Sequence, residues 1–187
     1  MQNKTTALQQ RFFLLPLAID TNGDEPWYCL FAQIQVVGVL GRRTIYPVPF
    51  SPGYLKGCIE WQDSVVPVID VDLLCGGKEK NPRTPLRQLL LVRTGQIDAV
   101  SGEPLKLALK CTSTVSTFKP SVHDNGQIVA ENEVPPALAA QDLSRGYFRL
   151  RNYRVMLLDL DGIVQGKSES TKRVGGDDGM FLHGSDG

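Results

Sequence analysis

Two pairs of aspartates have the type and spacing to do chemistry in this 187-residue chain: Asp70 with Asp72, and Asp159 with Asp161. One apolar residue separates the members of each pair. On a strand both carboxylates would point the same way, so each pair could clamp a hard cation with water completing its shell. An Asp that closes an apolar strand and precedes a short apolar turn is also a favoured helix N-cap, accepting backbone N–H bonds for about 1 kcal/mol. Capping is the stronger reading of the two. It predicts that Asn at position 70 costs little stability and that Leu there costs a cap. Of the two histidines, His123 lies in a polar loop between Val122 and Asp124 and His183 lies near the C-terminus. Neither has an apolar frame that would fix a tautomer against a Ser or Cys. Cys29, Cys58, Cys75 and Cys111 are widely spaced, form no C-x-x-C pair and sit in or beside apolar runs. They read as small core hydrophobes, not as zinc ligands or a redox couple. No phosphate-binding loop, nucleophile elbow or dinucleotide glycine pattern occurs. Catalytic residues, a metal and a cofactor are therefore not expected.

The elements that carry these aspartates are similar to each other. Residues 65–77 read VVPVIDVDLLCGG and residues 154–166 read RVMLLDLDGIVQG, which places Asp70 over Asp159, Asp72 over Asp161 and Gly77 over Gly166. The repetition suggests two similar halves, each closing with a strand that runs into a short helical turn. Upstream of the first copy, Pro47, Pro49 and Pro52 fix φ and withhold donors, so residues 44–51 run extended at a sheet edge or outside it. A turn follows at Pro52-Gly53. Residues 57–61 and 64–69 then read as a hairpin across the two-residue loop Gln62-Asp63. Ile59, Val66 and Val68 would share one face, and Cys58, Val65, Pro67 and Ile69 the other. Both faces are largely apolar, so one fills a core and the other needs a cover. Trp61 at the rim reads either as a partner anchor or as a lid over the core.

The rest of the chain has the same texture. Residues 11–19 and 27–31 read as an antiparallel pair joined through Thr21-Asn22-Gly23-Asp24, and 34–40 as a short apolar run. The Gly- and Pro-rich stretch 76–85 reads as a connection. Strands are expected at 86–93, ended by a turn at Thr94-Gly95, then at 105–111, 112–119, 143–150 and 153–160, with a helical turn or two at 135–141. Short strands with Gly and Pro turns indicate an all-β protein, and the repeated ending favours two barrels over one sandwich. Residues 1–10 and 167–187 are polar and read as flexible tails, with Met180-Phe181-Leu182 the apolar exception. Lys plus Arg and Asp plus Glu are both 20. That balance, without a long basic run, excludes a nucleic-acid partner. The longest apolar run, 12–19, contains Pro16 and is too short to cross a bilayer, so direct membrane insertion is not expected and a cytoplasmic protein is.

Residues 46–74 resemble the central segment of the CheW-like domain family, the chemotaxis coupling proteins. Pro47-Val48-Pro49, Pro52, Leu55-Lys56-Gly57, Val66-Pro67-Val68-Ile69-Asp70 and Leu73-Leu74 fall where that family has such residues. The similarity continues more weakly over residues 11–166. The resemblance implies two five-stranded SH3-like β-barrels packed together, the first from 11–77 with part of 143–166 and the second from 86–160. It also implies a non-enzymatic scaffold in a bacterial two-component pathway, joining chemoreceptor cytoplasmic tips to the regulatory domain of a CheA-like histidine kinase. The receptor tip would dock in an apolar groove including Val36, Val37, Gly57 and Ile59, with Trp61, Gln62 and Asp63 at the hairpin tip. The family usually has N-L-R-G where this chain has Glu60-Trp61-Gln62-Asp63, and an acidic residue where Val36 and Lys110 stand. A glutamine cannot make the bidentate pairs of an arginine. A paralogue with another protein partner, or a small metal-dependent enzyme built on the four aspartates, are the alternative readings.

Overall fold

A computed structural model of the chain describes residues 11–19, 25–78, 88–120 and 126–166. The joining turn expected at 21–24, most of the connection at 76–85, His123, His183 and both tails lie outside the described residues. Eleven strands are described: β1 (Phe12–Leu17), β2 (Trp27–Ala32), β3 (Val36–Leu40), β4 (Leu55–Trp61), β5 (Ser64–Asp70), β6 (Gln88–Ile97), β7 (Pro104–Cys111), β8 (Ser116–Phe118), β9 (Gln127–Ile128), β10 (Ser144–Leu150) and β11 (Tyr153–Leu158). Three short helices complete them: α1 (Val71–Leu74), α2 (Pro136–Ala139) and α3 (Leu160–Val164). The all-β expectation holds.

The strands form two mixed sheets. One has the order β8-β1-β2-β11-β10-β9 and the other β3-β6-β7-β5-β4. The first has six strands where five were expected, because the short strands β8 and β9 flank it at either edge. The strands do not divide between the sheets by chain order. β1 and β2 lie with the late strands, and β3–β5 lie with β6 and β7, so the chain changes sheets after β2 and again after β7. Two parallel pairs knit these crossings, β2 with β11 and β5 with β7.

Three apolar clusters explain why the strands are nearly continuous hydrophobic runs. Leu14 turns into a cluster with Leu30, Phe118 and Val155 inside the first sheet. Its neighbour Leu15 turns the other way, into a large shared cluster with Trp27, Phe31, Leu90, Leu109 and Met156. On β6, Leu90 and Val92 join that shared cluster, whereas Leu89 and Leu91 join Ile59, Val66 and Val68 inside the second sheet. Each sheet is therefore covered on both faces, and alternation of apolar with polar residues is not required. Leu89, Leu90, Leu91 and Val92 are all 0% exposed.

No turn occurs at Thr94-Gly95. β6 continues to Ile97, with an irregularity between Arg93 and Ile97 in its pairing to β7. The chain reverses at 98–102 instead, where Gly102 N–H donates to Asp98 O and Asp98 N–H to Glu103 O, both at 2.9 Å. The glycine at 95 serves close approach: a Cβ there would sit 3.0 Å from an Asp161 carboxylate oxygen.

Candidate functional site

The β4–β5 hairpin forms as its sequence dictates. Trp61 pairs with Ser64, leaving Gln62 and Asp63 as the loop, and both have positive φ, at 46° and 61°. Such two-residue loops match the strand twist, at some cost to residues other than Gly or Asn. Ile59, Val66 and Val68 point into the second sheet's cluster and are at most 1% exposed. On the other face Ile69 enters the shared cluster, while Val65 near the tip is 77% exposed. The Pro-rich segment lies outside the strands and pairs with the hairpin through an antiparallel bridge between Tyr46 and Cys58. There Tyr46 N–H donates to Cys58 O and Cys58 N–H to Tyr46 O, each at 2.8 Å. Gly57 permits this approach, since any Cβ at its φ of 134° would collide with the Tyr46 carbonyl oxygen.

Both aspartate pairs are spent on the fold. Asp70 and Asp159 are N-caps, accepting from Leu73 N–H at 3.4 Å and from Gly162 N–H at 3.1 Å. The second member of each pair has entered the helix, so the side-by-side strand geometry needed for a cation clamp does not arise. Asp72 accepts from Ala18 N–H at 2.8 Å, and Asp161 from Gly95 N–H at 2.6 Å. These two bonds are reciprocal. Asp72 follows β5 of the second sheet and reaches the chain just after β1 of the first; Asp161 follows β11 of the first and reaches β6 of the second. Cations complete the sites: Lys110 Nζ lies 2.7 Å from Asp70, and Arg145 bridges Asp159 at 2.8 Å and Asp161 at 2.9 Å. The ion pairs and bonds hold Arg145 in its charged form, with the bond to Asp159 the leading cause.

Clefts among the described residues border this framework. One of about 400 Å³ lies where the sheets meet, lined by Leu30, Ile34, Arg93, Arg145, Leu157 and Asp161 among others. Ile34, on the 3-10 turn Gln33–Gln35, is 76% exposed. A second, of about 490 Å³, lies along β4 between Tyr46, Cys58, Glu60 and Val65. A third, of about 540 Å³, runs from the hairpin tip to the β6–β7 connection and Val164.

The residues expected in one groove separate. Val37, Ile59 and Trp61 meet in the interior cluster of the second sheet, and Val36 packs on the shared cluster. Ile59 is 1% exposed and offers a partner no side-chain surface; Gly57 is buried. Trp61 rests on the interior cluster with its indole nitrogen buried and without a hydrogen-bond partner among the described residues, the geometry of a lid. Gln62 and Asp63 are exposed at the tip. Ile34, Arg93 and Arg145 were not singled out from the sequence. An isolated apolar residue in a polar context, QIQ, is their one legible signal.

Among the described residues no group of three or more His, Cys, Asp or Glu side chains is placed to hold a metal ion, and no helix is long and apolar enough to cross a membrane. The family model of the CheW-like domain matches residues 23–168. A similar solved structure is that of the scaffolding protein TtCheW from Thermoanaerobacter tengcongensis, with a TM-score of 0.57 at 16% identity, covering 82% of this chain and 90% of that one. No curated protein sequence matches.

Proposed function

The chain belongs to the CheW-like domain family, and from that premise we propose that it is a non-enzymatic adaptor, coupling chemoreceptor cytoplasmic tips to the regulatory domain of a CheA-like histidine kinase. The observation that carries the reading is the division of labour among its residues. The four aspartates that could have done chemistry cap helices and tie the sheets together, while apolar side chains are left on the surface beside clefts, Ile34 at the sheet junction and Tyr46 and Val65 along the hairpin. Large apolar groups held outward on a rigid frame are what a protein partner needs. The receptor tip takes the junction cleft, where Ile34 and Leu30 supply apolar contact and Arg93 and Arg145 supply charge at the rim. The kinase domain takes the hairpin side. A cytoplasmic location follows from these partners.

A pull-down with the kinase regulatory domain and, separately, receptor signalling fragments tests this. Binding of either supports the coupling role, and failure to bind both would sink it. Ile34→Asp should weaken receptor-fragment binding at least tenfold without shifting Tm, because Ile34 contributes to no apolar cluster among the described residues. One observation favours a second reading, a paralogue with a different protein partner: Gln62 and Asp63 occupy the tip where the family usually carries Arg-Gly. Retained folding with loss of both interactions would select it.

A further inference from the structure

β4 is the outermost strand of its sheet, with β5 as its one neighbour in the order. Strand pairing fixes which of its backbone groups turn outward. The two-residue loop is closed by Trp61 with Ser64, so that pair, Ile59 with Val66 and Gly57 with Val68 exchange hydrogen bonds, and the pairs between them do not. Pro67, which has no N–H to give, stands opposite Cys58 in agreement. The N–H and C=O groups of Cys58 and Glu60 therefore turn away from β5. Those of Cys58 are taken by Tyr46. Those of Glu60 meet no partner among the described residues, because the bridge at Tyr46 is isolated and does not extend to position 60.

This open stretch of edge borders the cleft of about 490 Å³ along β4. Glu60 and Asp63 line that cleft without a lysine or arginine, and both are exposed. Tyr46, 58% exposed, closes the lane at its other end. Charge on an edge strand ordinarily blunts it against further pairing. Here the blunting is selective. A second copy pairing edge to edge about Glu60 would set two carboxylates opposite each other, whereas a lysine or arginine in an incoming strand would stand beside Glu60 as a favourable cross-strand pair. With the hairpin side as a partner surface, the reading on which this rests, we infer that the β4 edge takes an extended, basic segment of the protein partner, which exchanges backbone hydrogen bonds with Glu60 and sets a cation between Glu60 and Asp63. Backbone pairing supplies the affinity and the two carboxylates select the sign of the partner's charge.

A peptide of alternating lysine and threonine, added to the ¹⁵N-labelled full chain at low salt, tests this without the kinase. The expected result is a shift of the Glu60, Trp61 and Asp63 amides, protection of the Glu60 N–H from solvent exchange, and no response to the same peptide with glutamate for lysine. Glu60→Gln should weaken binding about threefold, and Glu60→Pro, which also removes the outward N–H, about tenfold. Proline is tolerated at an edge where the N–H faces solvent, and unmoved Ala18 and Gly95 amides would show the fold intact. Methylation of the peptide's lysine backbone nitrogens removes the reciprocal bond and should also weaken binding, with the chain itself unaltered. Equal binding of the glutamate peptide, a Glu60 N–H left unprotected, or no shift at Glu60 up to millimolar peptide would overturn the inference. So would Glu60 shifts that grow with protein concentration alone, since those would put a second copy on the edge. Peptide binding at Glu60 without kinase-domain binding would sink the coupling role and keep the edge site; kinase-domain binding with the Glu60 amide unmoved would do the reverse.

Discussion

The fold gives Lys110 a specific role as counter-charge to the N-cap Asp70, 2.7 Å away, with side chains 23% and 7% exposed. The cap is thereby a partly buried ion pair, which alters the expectation from capping alone. Asn at 70 keeps an acceptor for Leu73 N–H but leaves the ammonium without its counter-charge, so Asp70→Asn should cost about 1–2 kcal/mol, not a few tenths. Asp70→Leu should cost about 3 kcal/mol, the range for removing one partner of a buried pair. A double-mutant cycle of Asp70→Asn with Lys110→Met by urea denaturation should return a coupling of about 1 kcal/mol, and zero coupling would refute the pairing. Three thiols make a second residue-scale prediction. Burial pushes Cys75 and Cys111 up to about 12 and raises Cys29 well above the ordinary 9.0, with Asp72 adding to each. Folding therefore favours the protonated thiols. Their stabilisation is complete below pH 9 and is lost as pH rises from 9 towards 12, by up to about 1.4 kcal/mol per thiol per unit. Alkylation of the native chain at about pH 8 should label Cys58 alone, the one thiol that is only half-buried. Labelling of Cys29, Cys75 or Cys111 before unfolding would contradict that packing.

At the scale of elements, the two hairpins that carry the aspartates are alike beyond the D-φ-D ending. Gly57 and Gly146 stand at the same position in each, at φ of 134° and 149°, and each marks a register shift in its pairing. Alanine at 57 meets the Tyr46 backbone, whereas alanine at 146 meets the Phe148 ring at 2.9 Å. Gly57→Ala should therefore destabilise by about 3 kcal/mol and Gly146→Ala by less, because a ring turns where a peptide cannot. Equal Tm shifts would refute the distinction. These hairpins were legible because a two-residue loop between apolar runs and an Asp at the strand end are local signals. The shared glycines were present in the sequence too, but nothing around them repeats: cluster-facing residues differ between Ile59 and Phe148. Strand membership was not legible. β2 pairs with β11 across more than a hundred residues of sequence, and no local pattern encodes which of two doubly covered sheets a strand enters. Thr94-Gly95 misled for a related reason: the glycine answers to a carboxylate 66 residues away. Which way Ile59 turns was not legible either, because a face that alternation marks as apolar can turn into a barrel or out to a partner.

At the scale of the molecule, the shared cluster and the reciprocal aspartates make the two sheets interdependent. The cluster takes side chains from β1, β2 and β11 on one side and β5, β6 and β7 on the other. Neither sheet can leave without exposing Trp27, Phe31, Leu90 and Leu109 together. Asp72 and Asp161 pin the joint, and they are not equal. Asp72 is 6% exposed and also accepts from Thr112 Oγ1 at 3.2 Å, whereas Asp161 faces an exposed Gly95. Removing Asp72 strands polar groups away from water, and removing Asp161 lets water replace it. Asp72→Ala should thus cost about 2–3 kcal/mol and Asp161→Ala about 1 kcal/mol or less. If the sheets unfold as one, both variants shift a single urea transition and leave its slope unchanged. Trp61→Phe leaves Trp27, at the shared cluster, as the only indole, so its fluorescence reports the joint while far-UV circular dichroism reports both sheets. The two signals should coincide in the parent and in Asp72→Ala. A fluorescence transition that precedes the loss of strand signal would mean that the joint opens first, and that each sheet is held chiefly by its own interior cluster.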